Sequence, residues 1–158
     1  MHSFILVLTS RGRLHWLKVH AIPESSRIAR GKSIVNFVKL AENEIISAIL
    51  PVKSFEPGSY LVFLTRQGVI KKTDIEAFSH PRESGIIALN IHEGDQIIAA
   101  DINNGKQDIF ITTRKGMSVR FNESGLRPMG RAATGVRGIK LKKDDSVVGM
   151  EILIEGSK

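Results

Sequence analysis

Arg127-Pro-Met-Gly-Arg-Ala-Ala-Thr-Gly-Val-Arg-Gly-Ile-Lys-Leu-Lys-Lys-Asp-Asp-Ser-Val-Val-Gly-Met150 holds three parts in order. A basic, glycine-rich loop comes first, with Arg127, Gly130, Arg131 and Gly135. An alternating run follows (Val136, Gly138, Ile139, Leu141), and the acidic turn Asp144-Asp145 then feeds the apolar pair Val147-Val148. The same parts occur twice more upstream, so the chain reads as a repeat protein, and the repeat decides its architecture.

Three anchors carry the repeat. The first is a strand ending in Thr-x-x-Gly: Thr9 to Gly12, Thr65 to Gly68, Thr113 to Gly116. The second is a glycine after arginine: Gly31 after Arg27 and Arg30, Gly85 after Arg82, Gly135 after Arg131. The third is an acid leading into an apolar pair: Glu44 with Ile45-Ile46, Asp95 with Ile97-Ile98, Asp145 with Val147-Val148. First and second glycines lie 19, 17 and 19 residues apart, and the apolar pairs begin 14, 12 and 12 residues later. Three matches in one order define units 4–56, 59–104 and 107–156. Pro57-Gly58 and Asn104-Gly105 separate them, the latter a strong tight-turn signal because both residues tolerate positive φ.

Each unit reads as four short strands. Phe4–Thr9, Tyr60–Thr65 and Ile109–Thr113 are rich in β-branched and aromatic residues, and the glycine after each suits a hairpin turn. The returns Arg13–Val19, Val69–Thr73 and Met117–Phe121 mix apolar with basic residues, as half-exposed strands do. Third strands are expected at Ser33–Leu40, Ile86–Ile91 and Val136–Leu141, and fourth strands at Ile45–Leu50, Ile97–Ile102 and Val147–Ile154. The expected fold is all-β and propeller-like, with three four-stranded blades. Propellers close with more blades than three. The chain is therefore expected to be a piece of a larger disc, with an exposed edge or one that self-associates with a second copy.

With 158 residues, 42% of them hydrophobic, the chain can build an ordinary core. It has no cysteine, which excludes disulfides and Cys-based zinc sites and fits a reducing cytoplasm. The apolar runs are too short for a helix to span a bilayer, and no membrane partner is expected. The net charge is +7, which points to a polyanion such as nucleic acid. A lysine-rich surface tuned for solubility gives the same sum, so the placement of the charges has to decide.

Positive charge recurs at one repeat position, while Glu42, Glu44, Glu93, Asp95, Asp144 and Asp145 gather at another. Arg27, Arg30 and Lys32 surround Gly31, Arg82 precedes Gly85, and Arg127, Arg131 and Arg137 surround Gly135. Lys18, Lys71, Lys72, Arg114, Lys115 and Arg120 lie near the hairpins as helpers. If the units are related by rotation, these residues form a belt along one rim. Such a belt would track a phosphate backbone, with glycines letting backbone N–H groups approach. No recognition helix, zinc-finger spacing or interleaved aromatics exist to read bases, so double-stranded DNA would be bound by charge and shape.

No catalytic residue or metal site is assigned. His2, His15, His20, His80 and His92 show no metal spacing. G-x-S-x-G and Walker A motifs are absent, and no cofactor is expected in this stretch.

Arg27-Ile-Ala-Arg-Gly-Lys-Ser-Ile-Val-Asn36, Trp16-Leu-Lys-Val19 and Thr134-Gly-Val-Arg-Gly-Ile139 with Val147-Val148 closely resemble the C-terminal domain of the DNA gyrase A protein, over essentially the whole chain. The resemblance implies a β-pinwheel, a propeller-like disc of about six blades, that wraps DNA on its basic perimeter and is not itself catalytic. As partners it implies the remainder of gyrase A, together with gyrase B. Negative supercoiling would draw on ATP and Mg2+ held elsewhere in the holoenzyme, in the bacterial cytoplasm at the nucleoid. Ser33 stands where the family usually has Pro, and the family's Gln-Arg-Arg-Gly-Gly-type box is missing. The missing box keeps open the C-terminal domain of the A protein of topoisomerase IV. A propeller used for protein contact is the other alternative; against it, WD and kelch signatures are absent.

Overall fold

The computed structural model describes residues 4–18 and 40–153. Its strands are β1 (Phe4–Thr9), β2 (Arg13–Lys18), β3 (Ile46–Val52), β4 (Tyr60–Thr65), β5 (Val69–Asp74), β6 (Ile86–Ile87), β7 (Ile97–Asn103), β8 (Asp108–Thr113), β9 (Ser118–Asn122), β10 (Val136–Arg137) and β11 (Val147–Leu153). Short 3-10 turns, Ile75–Phe78 and Glu123–Gly125, follow β5 and β9. The strands form three antiparallel sheets, in the orders β3-β1-β2-β6, β10-β5-β4-β7 and β11-β8-β9. The all-β, propeller-like expectation holds.

First, second and fourth strands fall where the sequence puts them, with small shifts at their ends. The third strands do not. Instead of completing its own unit, β6 pairs with β2 of the preceding one (Leu14↔Ile86, Arg13↔Ile87). In the same way β10 pairs with β5 (Ile70↔Val136, Val69↔Arg137). These ladders are short, and Ser33–Leu40, apart from Leu40, lies outside the described residues. Among the described residues no strand lies outside β9.

The crossing explains the two glycine anchors. Ala88 N–H donates to the Gly12 carbonyl at 2.8 Å, and Gly138 N–H to the Gly68 carbonyl at 2.7 Å. A Cβ on Gly135 would stand 2.6 Å from the Ile70 carbonyl oxygen, and one on Gly85 2.9 Å from that of Leu14. The hairpin glycine of one unit and the loop glycine of the next thus flank a single seam.

The acidic anchor stays within its unit. Asp95 Oδ1 accepts from the backbone N–H of Gln67 (3.0 Å) and Gln96 (2.8 Å), and Asp145 Oδ1 from Lys115 (3.0 Å) and Ser146 (2.8 Å). Glu44 accepts from the Thr9 hydroxyl and the Ala41 N–H. Each acid therefore ties the start of its fourth strand to the first hairpin. The register also makes Ile46, not Ile45, the equivalent of Ile97 and Val147 (Thr9↔Ile46, Thr65↔Ile97, Thr113↔Val147).

Burial raises the Glu44 carboxyl, but the Ala41 and Thr9 hydrogen bonds and the Arg13 charge outweigh it, and its pKa is lowered from the ordinary 4.5. A lowered folded value means stability that is complete above 4.5 and lost as pH falls through the folded value. Hydrogen bonds to a charged group contribute about 1.5–3 kcal/mol. Glu44→Gln is expected to lower stability by about that much at pH 7, and the gap in denaturant midpoint should shrink in acid. A gap independent of pH would contradict this role.

Sheets stack through two cores. Leu61 and Phe63 of β4 face Leu6, Leu8, Leu14 and Phe78, whereas Val62 and Leu64 face Ile109, Ile111 and Val147. Covered on both sides, β4 has to be apolar at successive positions, which is why Leu-Val-Phe-Leu carries no alternation. β3 packs on β7 and β7 on β11, so these are the inner strands. β6 and β10 lie at the opposite, outer edges of their sheets.

Candidate nucleic-acid interface

The crossing delivers the arginine loops to the outer edge. Arg82 precedes β6 and Arg131 precedes β10, and both line a cleft of about 550 Å3 between the two loops. Gly85, Asn90, Gly130 and Ala132 share the lining, and among the described residues no carboxylate does. Among the described residues the ion pairs are Lys72–Glu123 and Arg120–Asp108, and neither uses the cleft arginines. Two arginines from successive units thus line one groove, with Glu83 next to Arg82 lining the neighbouring pocket instead.

The loop carrying Arg131 is pinned from below. Met129 N–H donates to the Lys72 carbonyl at 2.7 Å, Pro128 bridges to Lys72, and Asn90 Nδ2 donates to the Ala132 carbonyl. Arg137 in β10 faces Val69, whereas in the first seam Arg13 in β2 faces Ile87 in β6. Each seam therefore carries one exposed arginine at the same cross-strand pair, once on the donated strand and once on the receiving strand. Arg13 also donates to the Ser84 carbonyl at 3.2 Å. Matching positions from unit to unit misses Arg13, because its equivalents Val69 and Met117 are apolar; pairing the strands finds it.

Lys18, Arg127 and Arg137 are exposed. Arg27, Arg30 and Lys32 lie outside the described residues. Arg114 and Lys115 are exposed, but they donate to the carbonyls of Asp144 and Lys143 and so belong to the acidic-turn end. Arg120 Nε and Nη2 both reach Asp108 Oδ2 at 2.8 Å. That pairing, with a bond from Asn122, holds the Asp108 carboxyl below its ordinary value.

Two expected contacts need correction. Lys71 is fully buried and Lys72 is 4% exposed, so neither can meet a phosphate. Alternation on β5 reads as half-exposed, but β10 and the Arg131 loop cover this strand. Lys72 Nζ donates to the Glu123 carbonyl at 3.2 Å, lies 3.5 Å from Glu123 Oε1 and sits 4.3 Å from the centre of the Tyr60 ring. In the first seam Trp16, at the repeat position of Lys72, also bonds the 3-10 turn of the next unit, but at its other end, through Nε1 to the Phe78 carbonyl at 2.9 Å.

Among the described residues no helix is long and apolar enough to cross a membrane, and no group of three or more His, Asp or Glu is placed to hold a metal ion.

Residues 3–53, 59–104 and 107–153 match the family described as DNA gyrase C-terminal domain, beta-propeller. The DNA gyrase A protein of Salmonella typhimurium is 49% identical over 151 residues, which are 96% of this chain and 17% of that relative. A crystal structure of the C-terminal domain of DNA topoisomerase IV superposes with a TM-score of 0.88 at 28% identity, over 97% of this chain and 48% of the other. A DNA gyrase A C-terminal domain structure superposes with a TM-score of 0.78 at 23% identity, over 96% of this chain and 48% of the other, and shows the shared fold. Sequence and architecture agree: the chain belongs to the DNA gyrase C-terminal domain, beta-propeller, family.

Proposed function

We propose that this chain binds duplex DNA along its outer edges without reading sequence, as a non-catalytic part of a gyrase A protein. The observation that carries the reading is the cleft that Arg82 and Arg131 both line, with no carboxylate in the lining among the described residues. Guanidinium groups pair well with phosphate oxygens, and the exposed Gly130 beside Arg131 leaves room for a backbone to approach. The two described seams each bring an arginine loop to the outer edge, and a duplex that follows both around a propeller-like rim would curve. Bending 20–30 bp by 40–90° costs on the order of 1–6 kcal/mol, which several phosphate contacts together offset. In the holoenzyme, the rest of gyrase A, together with gyrase B, would carry out strand passage in the cytoplasm, using ATP and Mg2+.

Wrapping of positive hand is testable on closed circles. A plasmid relaxed by a nicking-resealing enzyme in the presence of the chain is expected to end with a positive shift in linking number. Retained binding with no shift would reduce the reading to binding alone. The topoisomerase IV assignment has the higher TM-score in its favour. The 49% identity to a gyrase A protein weighs more for gyrase, because fold is shared by both.

A further inference from the structure

Lys71 is a buried ammonium under the arginine loop of the next unit. Its Nζ donates to the carbonyls of Ala88 (2.6 Å), Arg131 (2.6 Å) and Ala133 (3.2 Å). Those carbonyls come from two different stretches, the one after β6 and the one before β10, and both stretches contribute to the cleft lining, through Asn90 and through Gly130, Arg131 and Ala132. The Phe63 ring lies 5.9 Å away on β4. Burying a charge is costly, and a methionine of similar length would fill this place without that cost. Packing alone does not account for a lysine here.

The repeat supplies an independent observation. Three residues after its hairpin glycine, the first unit has His15, also buried, in the place that Lys71 takes in the second. A Cβ on Gly85 would stand 2.8 Å from the His15 ring, just as one on Gly135 would stand 3.1 Å from Lys71 Cβ. The third unit has Val119 there, and among the described residues no strand covers its edge. A polar side chain at this position goes with an arginine loop lying over it.

We propose that Lys71 is a positioning residue for DNA binding: by gripping the Arg131 and Ala133 carbonyls and the Ala88 carbonyl together, it sets Arg131 opposite Arg82 across the cleft. This rests on the DNA-binding reading above. Burial, aided by the Arg131 charge, lowers Lys71 to about 8. Arg131 is the charged group acting on it and does not titrate in this range. Losing the proton removes one of three donors, so the grip loosens as pH rises. The effect on folding has the opposite sign. Between 8 and 10.5 the unfolded chain binds more protons at this lysine than the folded chain, so this group adds stability as pH rises. A fall in affinity over that window therefore does not arise from Lys71 destabilising the fold, and a melting curve at each pH separates it from unfolding through other groups.

The test measures duplex affinity of the 158-residue chain at fixed salt for wild type, Lys71→Met, Arg131→Ala and the double variant. Lys71→Met is expected to lower affinity about tenfold without lowering the melting temperature, and to have little further effect in the Arg131→Ala background. Wild-type affinity should also decline between pH 7 and 9, which needs no variant to fold. Lys71→Met binding as tightly as wild type, an equal loss in both backgrounds, or a flat wild-type pH profile would overturn the inference. If the wild type does not bind duplex at all, the DNA-binding reading falls first. If it binds and Arg131→Ala alone weakens it, only the role of Lys71 falls.

Discussion

Reversing both cleft arginines, Arg82→Glu with Arg131→Glu, is expected to lower duplex affinity by roughly a hundredfold, with the fold intact. Hydrogen bonds to charged groups contribute about 1.5–3 kcal/mol each. At the lower end, suited to exposed positions, two lost contacts come to about 3 kcal/mol, or about a hundredfold in Kd. The slope of log K against log salt should become shallower by about 2, since each phosphate contact contributes about 0.9. Stability should barely change, because neither arginine is in an ion pair among the described residues. The informative control is Arg114→Glu with Lys115→Glu. These residues bond the carbonyls of Asp144 and Lys143 at the acidic-turn end. The same change in net charge there should weaken binding far less. Equal losses from both pairs would mean that total charge, not the outer-edge cleft, governs binding.

Gly12→Ala is expected to destabilise the chain by about 2–5 kcal/mol, a large share of a typical total of about 5–15 kcal/mol. Two effects add. Gly12 has φ +82, and a non-glycine residue there costs about 1–2 kcal/mol. Its new Cβ would also stand 2.4 Å from the Leu89 carbonyl oxygen and 3.0 Å from Ile91 Cδ1, an overpacking of about 1–3 kcal/mol. Gly116 separates the two. It holds the same hairpin place with φ +84, but among the described residues no neighbouring atom lies within 4 Å of its Cβ position. Gly116→Ala should cost about 1–2 kcal/mol, the conformational share alone. The difference between the two midpoints in denaturant measures the seam. If both variants lose the same amount, the hairpin glycine does not support the crossing strand.

Much of this was legible in the sequence, for reasons that can be stated. Thr65 to Gly68 and Asp95 to Gln67 could be read because each of these contacts closes within one unit and recurs at the same repeat position. The partner of Ile86-Ile87 could not. Its apolar character marks a strand, but nothing local says that the strand joins β2 rather than its own unit, and two residues give no register pattern. Arg82 and Arg131 share a repeat position, and that is why both lie at the same edge. Lys71 and Lys72 were misplaced for the converse reason. On an isolated hairpin β5 would be half-exposed, and only the strand and loop arriving from the next unit bury it. Arg13 was missed because the arginine of each seam sits on either partner of a cross-strand pair, a compensation visible only once the pairing is known.

The most direct test of the account is a salt titration of affinity for random-sequence duplex, long and short, with the 158-residue chain. Lys18, Arg13, Arg82, Arg127, Arg131 and Arg137 are the exposed or half-buried cations assigned to the outer edges. If each meets one phosphate, log K should fall with log salt at a slope approaching about −5, and the long duplex should bind much more tightly. A slope near zero, or equal affinity for both lengths, would contradict a DNA track along these edges.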